Sequence, residues 1–324
     1  MGTKTHCNVC VFYGPATELY SFPDGHPLNS ARVKSFWGLL KEQEEFLRAR
    51  IRRCEPVMAE EQDIMRFHSK EYISFVKKAS LLGHGYLDAG DTPAFKGVFE
   101  ASSYVVGSTL LGLNMIMKGS VQHAFNPVGG LHHARRDTAG GFCVFNDAAI
   151  AIQLAKEKYG ITKLAYVDID AHHGDGVYYE FEDDPTVYIA DIHEDGTYLY
   201  PGTGHEYEKG KGTAEGTKLN IPLQPQSGDA EFSAAFSRVQ AFITKSQPEL
   251  IILQCGADGL DGDPLTHLRY SVAAHRLAAN WLHEFSHEAC QGRLLVLGGG
   301  GYNAQNTAQA WVEVVKTMSE RTIQ

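Results

Sequence analysis

The stretch YVDIDAHHGDG, residues 166–176, begins like a buried strand and then sets three acidic residues and two adjacent histidines in quick succession. Side chains alternate along an extended chain, so while the strand persists Asp168, Asp170 and His172 point to one face. Uncompensated ions at a buried strand end cost several kcal/mol each, and a bound cation removes that objection. A strand that ends in such a cluster is what a parallel α/β sheet produces, because its chemistry gathers at the carboxyl ends of the strands.

The rest of the chain repeats the pattern. Short apolar runs at 9–14, 122–126, 163–170, 186–192, 249–256 and 293–300 read as strands, and the segments 30–48, 69–80, 95–118, 146–158, 229–246, 267–288 and 303–318 read as helices. Strands alternating with helices of this length imply right-handed crossovers and a mainly parallel sheet flanked by helices on both faces. With 324 residues, 43% hydrophobic content and no repeat or low-complexity linker, the expectation is one domain spanning 1–324. An asparagine or serine before residue 31 and Ser227 or Asp229 are expected to cap helices.

Composition excludes several classes of function. The net charge is −10 and there is no Lys/Arg block, so nucleic acid is not an expected partner. No apolar run reaches the roughly 18 residues needed to span a bilayer, and MGTKTHCNVCVFYG does not read as a signal peptide, so a cytoplasmic protein without a membrane role is expected. Six scattered cysteines fit a reducing compartment rather than a disulfide framework. Cys7 and Cys10 form a lone C-x-x-C that reads as part of the first strand rather than as a metal or redox pair.

Further strand exits bring more chemistry. LIILQCGADG ends at Asp258, LLVLGGGGY runs through four glycines to Tyr302, and GGLHHARRDTAGGF holds His132 and His133. One carboxylate at a strand end is more often a helix cap than a ligand. Asp170 and His172 on one strand exit with Asp258 on another are different, because together they offer three ligands to a divalent ion and leave positions open for water and substrate.

Five segments in order, GGLHHARRDTAGGFCVFND (129–147), YVDIDAHHGDGV (166–177), YPGTGHEYEKGKG (200–212), LQCGADGLDGDPL (253–265) and LGGGGYN (297–303), resemble the motif series of the zinc-dependent histone deacetylase and acetoin-utilization family. The likeness runs from about residue 24 to 315, and its GGLHHA form is closer to the class I branch. It implies the arginase-like α/β fold, with Asp170, His172 and Asp258 as ligands of Zn2+ or Fe2+. It implies that His132 and His133 are active-site histidines paired with Asp168 and Asp175, and that the Tyr302 hydroxyl polarises an amide carbonyl. Phe142 and Tyr200 would wall an acyl tunnel, Tyr200 replacing the usual phenylalanine, and Gly141 would present its carbonyl to the substrate. Leu265 would sit at the mouth, Asp91 would grip the substrate backbone at the rim, and Arg32 would line an internal channel. A structural K+ or Na+ is implied at Asp168, Asp170, His172, Asp191 and Ile192, Asp191 standing where serine is usual. The activity implied is hydrolysis of acetyl-lysine in proteins or peptides, releasing acetate, with acetylpolyamine hydrolysis as the alternative. Leu265 speaks against polyamines, whose enzymes carry a glutamate near the mouth.

Overall fold

The structure is a computed structural model that describes residues 9–23, 25–43, 47 and 50–320. Eight strands form one sheet: β1 (Val9–Phe12), β2 (Ile51–Cys54), β3 (His123–Asn126), β4 (Leu164–Asp168), β5 (Val187–Glu194), β6 (Lys218–Leu223), β7 (Leu250–Gln254) and β8 (Leu294–Leu297). Their order is β2-β1-β3-β8-β7-β4-β5-β6 and every pairing is parallel. This is the arginase-like sheet expected from the sequence.

Helices cover both faces: α1 (Ala31–Glu42), α2 (Glu61–Ile64), α3 (Lys70–Leu82), α4 (Val98–Met117), α5 (Asp147–Tyr159), α6 (Asp175–Phe181), α7 (Asp229–Ser246), α8 (Val272–Cys290) and α9 (Ala304–Ser319). The period-two alternation of the strands divides the core. Phe12, Ala124, Tyr166, Ile252 and Leu295 pack with α3, α4 and α5, whereas Val11, Phe125, Val167, Leu253 and Val296 pack with α1, α7, α8 and α9. Because both faces are covered, the central strands are mainly apolar until their carboxyl ends, and for that reason they are readable in the sequence.

β2 and β6 are not anticipated by the sequence reading, and both lie at the edges of the sheet. IRRC exposes two arginines, and KLNIPL carries a lysine, an asparagine and a proline. Exposed arginines in β2 and Pro222 in β6 are how these edges resist further pairing, and together with Lys218, which is buried and donates to the carbonyls of Asp184 and Val187, they erase the apolar run that marks a strand. The helix expected over 267–288 starts only at Val272, since Arg269 and Tyr270 are drawn into bridges with Gly228 and Leu260, and Ser271 caps it. The cap of α7 is Gly228 rather than Ser227 or Asp229, and the Asp229 carboxylate instead accepts hydrogen bonds from the Ser271 amide and hydroxyl. Before α1 the capping side chain is Asn29, which accepts from Ala31 N–H.

The cysteine reading also needs correction. Cys10 is disulfide-bonded to Cys54, because β1 and β2 are adjacent parallel strands that bring the two residues to one face with Cα atoms 6.1 Å apart. Cys7 lies outside the described residues.

Candidate active site

The sheet's carboxyl edge is where β3, β8, β7 and β4 release their loops, and backbone hydrogen bonds knit those loops together. Ile169 N–H donates to Gln254, Cys255 N–H to Leu297, Gly298 N–H to Asn126 and Ala257 N–H to Gly300. The order in which the chain adds strands reverses between β4 and β7, with β5 and β6 laid down on one side and β8 on the other, which opens the crevice at a switch point.

Asp170, His172 and Asp258 meet in that crevice, all buried, with their ligating atoms within 4.8 Å of one another. His172 Nδ1 is 3.1 Å from Asp170 Oδ1 and 3.0 Å from Asp258 Oδ2. The remaining carboxylate oxygens are fixed by donors: Gly300 N–H and Gln254 Nε2 hold Asp170 Oδ2, and Ala171 N–H holds Asp258 Oδ1. Gly300 completes the cradle, since a Cβ there would lie 2.2 Å from Asp258 Oδ2.

The electrostatics of this trio ask for a cation. Burial and the neighbouring Asp170 push Asp258 up to about 7, because two carboxylates in one dry space resist ionising together. Burial disfavours a proton on His172, but Asp258 and Asp170 outweigh it and lift the ring to about 10. A divalent ion fits this set of two carboxylates and one imidazole, taking the place of that proton.

Two histidine–aspartate pairs stand beside the trio. His132 Nδ1 is 2.8 Å from Asp168 Oδ2, His133 Nδ1 is 2.7 Å from Asp175 Oδ1, and the two Nε2 atoms are 3.1 Å apart. Their environments pull them in opposite directions. Burial lowers His132, yet Asp168 and Asp170 reverse the effect and raise it to about 9. Burial and the adjacent His132 take His133 down to about 4 despite Asp175. Asp175 is itself held down at about 2: burial opposes its ionisation, and the bonds from His133 and from Arg135, which donates to Oδ2, prevail.

Several supporting residues carry no role in the sequence reading. Asn146 caps α5 and its Nδ2 donates to the carbonyls of His132 and Ala134, fixing the backbone of the histidine pair. His68 accepts Asn146 N–H at Nε2 and donates from Nδ1 to the Arg136 carbonyl, so it sits neutral in the core. Asp147 collects the amides of Gly130 and Leu131, and Tyr166 donates its hydroxyl to Asp168. Asp263 takes Leu265 N–H on one oxygen and Tyr302 N–H on the other. The one signal for Asn146 and Asp147 is a cap-type pair before an apolar helix.

The remaining expected residues are placed as follows. Tyr302 lines the same pocket as His132, His133 and His172, with its ring 5.7 Å from Phe142. Burial holds the Tyr302 hydroxyl well above the ordinary tyrosine range. Phe142 has φ 67° and is clamped by Thr92 Oγ1, which accepts its N–H, and by the Tyr20 hydroxyl, which donates to its carbonyl. Gly141 passes against the His133 ring so closely that a Cβ would lie 2.3 Å from Cδ2. Tyr200 stands 5.0 Å from the His133 ring and is exposed, which removes the need for an internal partner for its hydroxyl. Leu265 is at the surface, and exposed Asp91 accepts from the Thr92 hydroxyl, the same group that holds Phe142. Arg32 is buried behind the trio, donates to the Gly299 carbonyl and lies 4.9 Å over the Trp311 ring.

Asp191 faces Asp168 in the register of β5 and β4, one residue before Ile192. Its carboxylate is engaged on both oxygens, by His193 Nδ1 at 2.7 Å and by Gly174 N–H at 2.9 Å. The sequence left open whether this carboxylate serves a cation or points elsewhere, and here it forms a buried pair with His193.

A parallel α/β sheet that gathers an Asp–His–Asp trio and two histidine–aspartate pairs at its carboxyl edge has the architecture of the arginase-like deacetylases. A family model, the histone deacetylase domain, matches residues 26–318. The acetoin utilization protein AcuC of Bacillus subtilis (strain 168) is 40% identical over 314 residues, covering 93% of this chain and 80% of that protein. AcuC of Staphylococcus aureus (strain MSSA476) is 32% identical over 317 residues, covering 94% and 80%. The crystal structure of the HDA15 HD domain superposes with a TM-score of 0.88 at 28% identity, covering 96% of this chain and 89% of that one. The chain belongs to the histone deacetylase family. No helix among the described residues is long and apolar enough to cross a membrane.

Proposed function

We propose that this protein is a metal-dependent deacetylase that removes acetyl groups from lysine side chains of proteins or peptides. The observation that carries the reading is the meeting, in one pocket, of a cation-fitting trio with two oppositely tuned histidines and the Tyr302 hydroxyl. Asp170, His172 and Asp258 would hold the ion, zinc or iron(II). When bound, such an ion supplies Lewis acidity and brings the pKa of a water from about 15.7 toward about 7.

The chain's own groups do the rest. His133 is unprotonated at neutral pH, with Nδ1–H fixed on Asp175, so its Nε2 takes a proton from the attacking water and returns it to the departing lysine amine. His132 is oriented by Asp168 through its Nδ1 and stands with its Nε2 beside that of His133, on the side of the pocket that would face the ion. Tyr302 stays a phenol and donates to the carbonyl oxygen as negative charge builds there. Phe142 and Tyr200 give the apolar lysine stem its walls.

Leu265 at the rim offers no counter-charge to the internal ammonium groups of an acetylpolyamine, which favours acetyl-lysine. The test uses metal-stripped protein, reloaded with Zn2+ or Fe2+, against acetyl-lysine peptides and N8-acetylspermidine. Hydrolysis should vanish with the metal and return on reloading, with peptides preferred, and Leu265→Glu should shift the ratio of kcat/KM about tenfold toward the polyamine. Full activity without metal would end the mechanism, and a wild-type preference for the polyamine would end the substrate assignment.

A further inference from the structure

A second group of imidazoles lies at the opposite edge of the sheet. His123 is the first residue of β3, so it sits at the amino end of a strand whose carboxyl end leads to the active-site histidines. His283 and His287 are four residues apart in the last turns of α8, the spacing that puts two side chains on one helix face. The three rings pack mutually edge to face, with centroids 4.8, 5.1 and 4.9 Å apart. One nitrogen from each lies within 4.8 Å of the others.

Packing alone does not account for this arrangement. His123 is fully buried, and neither of its ring nitrogens makes a hydrogen bond of normal geometry. A hydrophobic residue would fill the same place without burying two poorly satisfied polar atoms. His283 Nε2 and His287 Nε2 face each other at 3.1 Å. Two imidazoles on a tetrahedral zinc ion, each at about 2.0–2.1 Å, have nitrogens about 3.3 Å apart, so this pair is already near ligand spacing. Burial holds all three rings below the ordinary histidine range, which keeps them in the neutral form that ligates. His287 is only partly buried and occupies the helix's final turn, where the carbonyl dipoles favour a cation and where an ion has a way in from solvent.

We propose that His123, His283 and His287 form a second metal site, separate from the deacetylase trio, which takes a borderline divalent ion such as Zn2+ and clamps the amino end of β3 to α8. Three neutral imidazoles select zinc and its neighbours in the transition series, and reject Mg2+ and Ca2+, which require oxygen ligands. The fourth position is open to water.

The experiment uses tag-free full-length protein, stripped by chelator, saturated with Zn2+ and desalted before metal analysis. Wild type should retain about two equivalents, while His287→Ala and, separately, Asp258→Ala should each retain about one and the double variant none. Because His283 and His123 are buried and their replacement risks the fold, His287→Ala carries the test, with His287→Cys, which restores a ligand, expected to regain the second equivalent. In the Asp258→Ala background Zn2+ should raise Tm by several degrees and Mg2+ should not, and His287→Ala should abolish the rise. Two equivalents in His287→Ala, or no zinc and no Tm shift in Asp258→Ala, would overturn the second site. Loss of the first site alone would show as one equivalent in wild type that only His287→Ala removes, so the two failures are distinguishable.

Discussion

Gly300→Ala isolates the geometry of the carboxylate cradle from its chemistry. Gly300 is not among the residues with a left-handed backbone, so alanine meets no conformational objection there. Its methyl group does. The Cβ would sit 2.2 Å from Asp258 Oδ2 and 2.9 Å from Asp170 Oδ2, where ordinary contact begins near 3.4 Å. The Asp258 oxygen therefore has to retreat by about 1 Å, against a tolerance of about 0.2 Å for metal–ligand distances. Disturbing the groups that orient ligands typically costs about 10- to 100-fold in metal affinity, and this displacement acts on a ligand directly, so a loss at the upper end is expected. Overpacking adds about 1–3 kcal/mol of destabilisation, read as a Tm decrease of a few degrees. The assay is competition for Zn2+ with a chelating dye, beside turnover at limiting and at excess metal. Gly38→Ala is the control, because Gly38 lies within α1 and a Cβ there meets nothing within 4 Å. It should leave metal affinity unchanged and raise stability by up to about 1 kcal/mol. If Gly300→Ala binds zinc within twofold of wild type and turns over normally, these carboxylates do not hold the metal.

Tyr302→Phe should lower kcat about 100-fold or more while metal content and binding of a hydroxamate inhibitor persist, and a purified variant within twofold of wild type would remove the hydroxyl from the mechanism. His68 should make the fold acid-sensitive. Burial keeps its ring neutral, down to a pKa of about 3, whereas the unfolded chain binds a proton below the ordinary value of 6.5. The unfolded state thus holds more protons in that window, and stability falls as pH falls, by about 1.4 kcal/mol per unit and roughly 2–3 kcal/mol by pH 4.5. His68→Gln, which cannot titrate, should show a shallower decline in chemical-denaturation stability between pH 6.5 and 4.5, and identical slopes would acquit His68.

What could be read in the sequence follows from how locally each feature is encoded. The six interior strands announce themselves as apolar runs because both of their faces are buried, whereas β2 and β6 are disguised by the arginines and proline that protect an edge and by a lysine that is buried against backbone carbonyls. Asp168, Asp170 and His172 are legible as a dense polar cluster directly after an apolar run, although β4 ends at Asp168 and the loop, not period-two alternation, brings Asp170 and His172 to the site. Their association with Asp258, His132 and His133 came from the order of motifs, and the geometry places all of them at one edge. The supports were not legible. Gln254 looks like the last residue of a strand, Asn146 like a cap, and Asp263 like loop polarity, and each acquires meaning only from a partner far away in the chain. His123 is the extreme case, a polar residue starting a strand whose companions lie in a helix near the other end of the sequence.

The Asp263 carboxylate has a wider consequence. One of its oxygens tethers the amide of Leu265 and the other tethers the amide of Tyr302, so the lip of the pocket and the phenol at its floor hang from a single peg. Any change that reshapes the lip to welcome a different substrate tugs on the peg and thus on the phenol. Under the proposed function, selectivity and speed would be geared together, because a substitution at residues 263–265 made to alter the first would also shift the backbone of Tyr302.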